Sequence, residues 1–145
     1  MEDGKQYIRW NQQWSVGVDS LDDDHKKLIG IINQIIGLYA SKSEERHLRS
    51  AISKLMKYTG THLKNEEQFL ESIGYPQIQQ HKEVHLRLMY DVLAAKAKLL
   101  NSHYDGTSTE ELKRFLVDKW LVEHIQQGDQ DYARFLRENS LKHAL

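Results

Sequence analysis

The sequence predicts an all-α protein, a bundle of four helices, on three observations. From Leu48 to Ile73 the inward-facing positions recur in alternating steps of four and three, the period of a seam between antiparallel helices, and the pattern repeats from Ile78 to Leu99. Gly74-Tyr75-Pro76 separates the two runs. Glycine suits the end of one helix and proline the first turn of the next, and so short a link makes the helices antiparallel neighbours. The two seams also carry His62, Glu66, His81 and His85 where apolar residues would be expected. A buried unpaired carboxylate is costly, so these positions need a partner.

At 145 residues the chain is long enough for one domain with a real core, and residues 1–145 are read as one. Twenty basic and 21 acidic residues leave a net charge of -1, which argues against nucleic acid or an anionic membrane as partner. No apolar run is long enough to insert in a membrane, and the polar start does not read as a signal peptide. The lack of cysteine excludes disulfides, thiolate sites and iron–sulfur clusters, and fits a cytoplasmic protein.

Residues 1–18 read as an extended arm. Its Tyr7, Ile8, Trp10, Trp14 and Val16 hold no helical period, and they are expected to pack over the bundle. A first helix is expected over about 20–40, with Asp22, Asp23 and Asp24 in its first turn complementing the helix dipole. His25, Leu28, Ile32, Ile35 and Tyr39 share its inner face. Gly30 and Gly37 weaken it, and close packing is the expected reason. The second helix, about 42–73, is expected to start at a capping box made by Ser41 and Glu44. The third, about 76–101, carries the His81–His85 pair. A polar loop then leads to a fourth helix over about 108–127, capped by Thr107/Glu110 or Ser108/Glu111. Its inner face is Leu112, Phe115 or Leu116, Val117, Trp120, Leu121 and His124. Asp129 follows His124 by five residues, which in an ideal α-helix would turn it some 140° away. For both to face one site the helix must end or bulge between them, and Gly128 would permit that. Residues 129–145 form a tail with another turn or two of helix, Tyr132, Phe135 and Leu136 packing back, and an end that frays.

His25, His62, Glu66, His81, His85, His124 and Asp129 make a set of five imidazoles and two carboxylates. That is too many for one tetrahedral zinc, and there is no HExxH. Seven ligands suit two metal ions. Two bridging carboxylates and a bridging solvent oxygen leave three histidines on one ion and two on the other, so one ion is six-coordinate and the other has a vacant position. Carboxylate-rich di-iron bundles use four acids and two histidines. Five neutral imidazoles instead favour the ferrous state, and such a site should bind O2 and release it rather than cleave it.

His25, HxxxE (His62, Glu66), HxxxH (His81, His85) and HxxxxD (His124, Asp129), in that order, resemble the hemerythrin family in its bacterial form. The resemblance extends to Trp14, Val16-Gly17-Val18, Gly74-Tyr75-Pro76 and Trp120-Leu121. It implies an up-down-up-down bundle around a non-haem di-iron centre. His81, His85 and His124 would hold one iron, His25 and His62 the other, with Glu66, Asp129 and a solvent oxo or hydroxo as bridges. Asp24 and Glu123 are acidic where relatives often carry amides. Leu121 and Trp120, one turn before His124, are expected to line an apolar pocket for O2, with Leu121 as its lid. The implied role is oxygen storage, delivery or buffering, not catalysis. The alternatives are sensing of O2, redox state or nitric oxide through a protein partner, and a di-iron oxidase or peroxidase. His47, His103 and His143 read as surface residues, Glu67 as solvated, and Met56 and Met89 as packing.

Overall fold

The computed structural model describes residues 8–102, 114, 116, 118, 123–125 and 128–144. The described residues are helical throughout apart from the arm and the turns. Helix α1 spans Asp19–Ala40, α2 Glu45–Ser72, α3 Ile78–Ser102 and α4 Asp129–Ala144. The loop after α3, its candidate caps, and Leu112, Phe115, Val117, Trp120 and Leu121 lie outside the described residues. Helix α1 packs on α2 and α2 on α3. His25, early in α1, meets His62, late in α2, while Glu66, also late in α2, meets His81 at the start of α3. Both pairs are therefore antiparallel.

The turns explain the helix limits. At the end of α2, Gly74 takes a positive φ of 69°. Its N–H donates to Glu71 O, and that of Tyr75 donates to Leu70 O. This is a Schellman closure, with Tyr75 and Leu70 in contact across it. Pro76 sits in the turn, two residues before α3, rather than inside the helix. The α1–α2 link departs further from expectation. Ser41 does not open α2; it closes α1. Lys42 adopts the left-handed φ of 52°, its N–H reaches Tyr39 O, and that of Ser43 reaches Leu38 O. The same closure thus ends α1 without a glycine, and α2 starts after Glu44, which makes no side-chain cap.

The arm lies on the bundle from Ile8 onward. Asn33 of α1 pairs with the Ile8 backbone in both directions, each bond 2.8 Å. Asp22 accepts bonds from the Val16 N–H and the Ser15 hydroxyl, and Gln130 donates to the carbonyls of Trp14 and Ser15. Asp22 is buried, so in addition to any dipole role it clamps the arm. The tail is longer than expected: α4 is a continuous helix to Ala144. A side chain at Gly30 would meet open space, so close packing does not account for that glycine.

Two apolar clusters fill the interior. One gathers Leu28, Ile32, Ile35, Leu48, Ile52, Leu55, Leu88, Val92, Leu116 and Ile125. The other, at the α2–α3 hairpin end, gathers Val16, Leu21, Leu70, Tyr75, Tyr132 and Ala133. On α1, α2 and α3 polar seam residues fall between members of the two clusters: His25 between Leu21 and Leu28, Glu66 between Leu63 and Leu70, His81 and His85 between Ile78 and Leu88. Apolar side chains flank the polar layer on both sides.

Candidate metal centre

The seven residues singled out by spacing are all buried and meet in that layer. The two carboxylates occupy its middle, and each divides its oxygens. Glu66 Oε1 lies 2.7 Å from His81 Nε2 and 2.9 Å from His85 Nε2. Glu66 Oε2 lies 3.3 Å from His62 Nε2 and 3.5 Å from His25 Nε2. Asp129 Oδ1 lies 3.3 Å from His81 Nε2, and Oδ2 lies 3.1 Å from His25 Nε2 and 3.5 Å from His124 Nε2. Each carboxylate therefore faces two groups of imidazoles. By donor-atom distances the groups are His25, His62 and His124 on one side, and His81 and His85 on the other. By ring position His124 is nearest His85, at 5.0 Å between centroids, against 6.5 Å to His25.

The described residues from Leu116 to Gly128 are wound wider than an α-helix. Glu123, His124, Ile125 and Gly128 are in the π form, in which residues five apart share a face. Gly128 is not in a left-handed conformation there. Its role is space, because a side-chain carbon would come within 3.3 Å of Glu123 O across the wide turn.

Three further residues reach the centre that the seam pattern did not assign to it. Tyr132, expected only to pack, is buried and its hydroxyl donates to Glu66 Oε2 at 3.0 Å. Glu67, expected in solvent, turns to α3 and lies 2.9 Å from His85 Nδ1. Asp24 lies 3.2 Å from His62 Nδ1. The signal for Glu67 and Asp24 was their adjacency to a site residue, since a neighbour on a helix can reach sideways to the outer nitrogen of a ring on the next one.

The electrostatics are those of a site built for positive charge. Burial acts to lower the His25 pKa, but Asp129 and Glu66 outweigh it and push it up to about 10. His81 is likewise raised to about 10 against burial by the same two carboxylates. Burial would raise Glu66, but the four histidines around it hold it well below the ordinary carboxylate range. His124, dominated by burial, falls to about 4. Burial, then Glu66 and Asp129, keep the Tyr132 phenol protonated and so a donor.

A metal fits these residues. Both Asp129 oxygens are buried with no partner in hydrogen-bond geometry, although imidazole nitrogens stand within 3.5 Å. His25 Nε2 and His62 Nε2 face each other at 3.0 Å, two ring nitrogens close enough to share one ion. Neutral nitrogen and anionic oxygen donors of this kind can hold divalent transition metals.

Comparison with known proteins agrees. The family model of the hemerythrin HHE cation binding domain matches residues 16–136. A bacteriohemerythrin of Clostridium acetobutylicum is 30% identical over 128 residues, covering 85% of this chain and 96% of its own. One of Stenotrophomonas maltophilia is 26% identical over 86% of this chain and 78% of its own. A hemerythrin-like protein of Naegleria gruberi is 27% identical over 89% and 93%. With its histidine and carboxylate cluster in place and the family model spanning most of its length, this chain belongs to the hemerythrin family.

Proposed function

We propose that the chain binds O2 reversibly at two iron ions, for oxygen storage, delivery or buffering, and is not an enzyme. The observation that carries this reading is the divided carboxylate pair, Glu66 and Asp129, each facing two groups of buried imidazoles. In it these two residues and a solvent oxygen bridge the ions. His81 and His85 serve one ion and His25 and His62 the other. The family resemblance assigns His124 to the first, supported by its ring distance to His85; the Asp129 oxygen it shares with His25 supports the second. We keep it with His81 and His85, which leaves the vacant position beside His25 and His62. Iron so held would supply the reversible electron exchange that O2 binding requires. The chain's own part is to exclude water and protons, through the two apolar clusters and, in this reading, Leu121 and Trp120 as the wall of the O2 pocket. Leu121→Ala is expected to keep both irons but oxidise faster to the ferric form in air.

Metal analysis tests the centre. Wild type is expected to hold two irons per chain, and Glu66→Ala to lose that stoichiometry, while His47→Ala, an exposed position, keeps it. Two tightly held irons in Glu66→Ala would refute the bridge. A second reading, oxygen or signal passed to a protein partner, is favoured by one observation. Leu86, Tyr90 and Leu93 are 60, 65 and 47% exposed and form an apolar stripe on α3 at steps of four and three. A cytoplasmic setting belongs to the main reading, since a chain without cysteine fits a reducing compartment. Among the described residues no helix is long and apolar enough to cross a membrane.

A further inference from the structure

The outer nitrogens of His62 and His85 both meet carboxylates. Asp24 of α1 stands 3.2 Å from His62 Nδ1, and Glu67 of α2 stands 2.9 Å from His85 Nδ1. In each ring Nε2 points inward, His62 towards His25 and Glu66 Oε2, His85 towards Glu66 Oε1. His62 belongs to one group of imidazoles and His85 to the other, so each half of the centre has one outer carboxylate. Both acids are mostly covered, with side chains 21 and 27% exposed.

A neutral amide could also accept the Nδ1–H and fix the ring. A carboxylate adds charge. The inner donors bring two negative charges, from Glu66 and Asp129. Asp24 and Glu67 bring two more, one imidazole away from the metals and mostly covered, where charge is less screened than at an open surface. Oxidation of the pair from ferrous to ferric raises the metal charge by two, and negative charge at this distance favours the more positive state. It also makes each imidazole a stronger donor.

We propose that Asp24 and Glu67 are positioning residues, one for each half of the centre, which fix His62 and His85 as Nε2 donors and by their charge bias the metal pair towards its oxidised level. They act through the imidazoles and do not touch the ligand. This rests on the di-iron reading above.

The test is potentiometric titration of the iron-loaded protein, in which each ferrous ion gives one electron to a mediator and becomes ferric. It compares wild type with Asp24→Asn and Glu67→Gln, which keep an acceptor and remove the charge, and with Asp24→Glu and Glu67→Asp, which keep the charge. Glu71→Gln is the control, because Glu71 pairs with Lys82 on the surface of the same helix face. Each amide variant is expected to hold its iron and shift the ferric/ferrous equilibrium about tenfold towards ferrous, a rise of about 59 mV for one electron. The charge-conserving variants and Glu71→Gln should stay near wild type. Iron loss in the amide variants but not in the charge-conserving ones would also support a role for the charge. Unchanged midpoints with iron retained, or equal loss of iron in both kinds of variant, would overturn the inference. Wild type that holds no iron would instead overturn the di-iron reading, and this inference with it.

Discussion

Without metal, the centre carries its positive charge as protons on His25 and His81, both held to about pH 10 by Asp129 and Glu66. In the unfolded chain these rings titrate near their ordinary value of 6.5. A raised folded pKa gives stability that is complete below the unfolded value and lost as pH rises towards the folded one. His124 works in the opposite sense. Held neutral to about 4, it favours the unfolded chain as pH falls below 6.5. The melting temperature of the metal-free protein should therefore peak near pH 6.5 and fall on both sides, with the alkaline slope extending towards pH 10. A metal-free protein whose stability climbs steadily from pH 7 to 9 would contradict this. Iron must displace these protons and any on His62, which Asp24 and Glu66 also raise against burial, so loading at neutral pH should release about two or more per chain, measurable in weak buffer. Tyr132 gives a separate test. Tyr132→Phe keeps the packing of a buried ring but removes the donor to Glu66 Oε2. Its irons should be drawn off by a chelator about tenfold more readily than those of wild type, and equal rates would leave the tyrosine as packing alone.

The helices carry costs unrelated to the site. Lys42 closes α1 in a left-handed conformation that disfavours a residue with a side chain. Lys42→Gly removes that strain, though the unfolded chain then gains freedom, so a net gain of about 0.5–1 kcal/mol is expected. Gly30 lies in the middle of α1 facing open space, and Gly30→Ala should stabilise by about 1 kcal/mol. In a chain of this size these correspond to rises of about 1–4 °C in a thermal melt of the metal-free protein. A fall on Gly30→Ala would mean that α1 packs against something at that position. The wide turn before α4 is a different kind of feature. It departs from regular helix so that His124 and Asp129 face one layer, and Gly128 leaves the Glu123 carbonyl room within it.

At the scale of the whole molecule, the bundle was legible because core contacts recur with the helical period. Seam positions on α2 and α3 could be read from sequence, and polar residues on them stood out against Leu55 and Leu88; beyond Glu66 the reading was one residue off, since Leu70 is buried and the expected Phe69 only partly so. The need for a bulge between His124 and Asp129 was also legible, since five residues do not close a regular turn; its π form was not. Asp24 stood out in the sequence as an acid beside a site histidine, but the Glu67 contact was hidden because it depends on lateral packing between helices. Glu67 is one residue off the seam, and only the position of α3 decides whether it faces water or His85. The start of α2 was misread for a local reason. Ser41 and Glu44 match a capping box, but the left-handed Lys42 uses that stretch to close α1. The described helices bring five imidazoles and two carboxylates into one layer, with an apolar cluster on either side. The most direct test of that arrangement is the optical spectrum of the ferrous, iron-loaded protein before air, in air, and after O2 is removed. The account predicts a visible ligand-to-iron charge-transfer band that appears with O2 and fades when it is withdrawn, over repeated cycles. A protein that forms no such band, yet consumes O2 steadily with an added reductant, would contradict reversible binding and mark the centre as an oxidase.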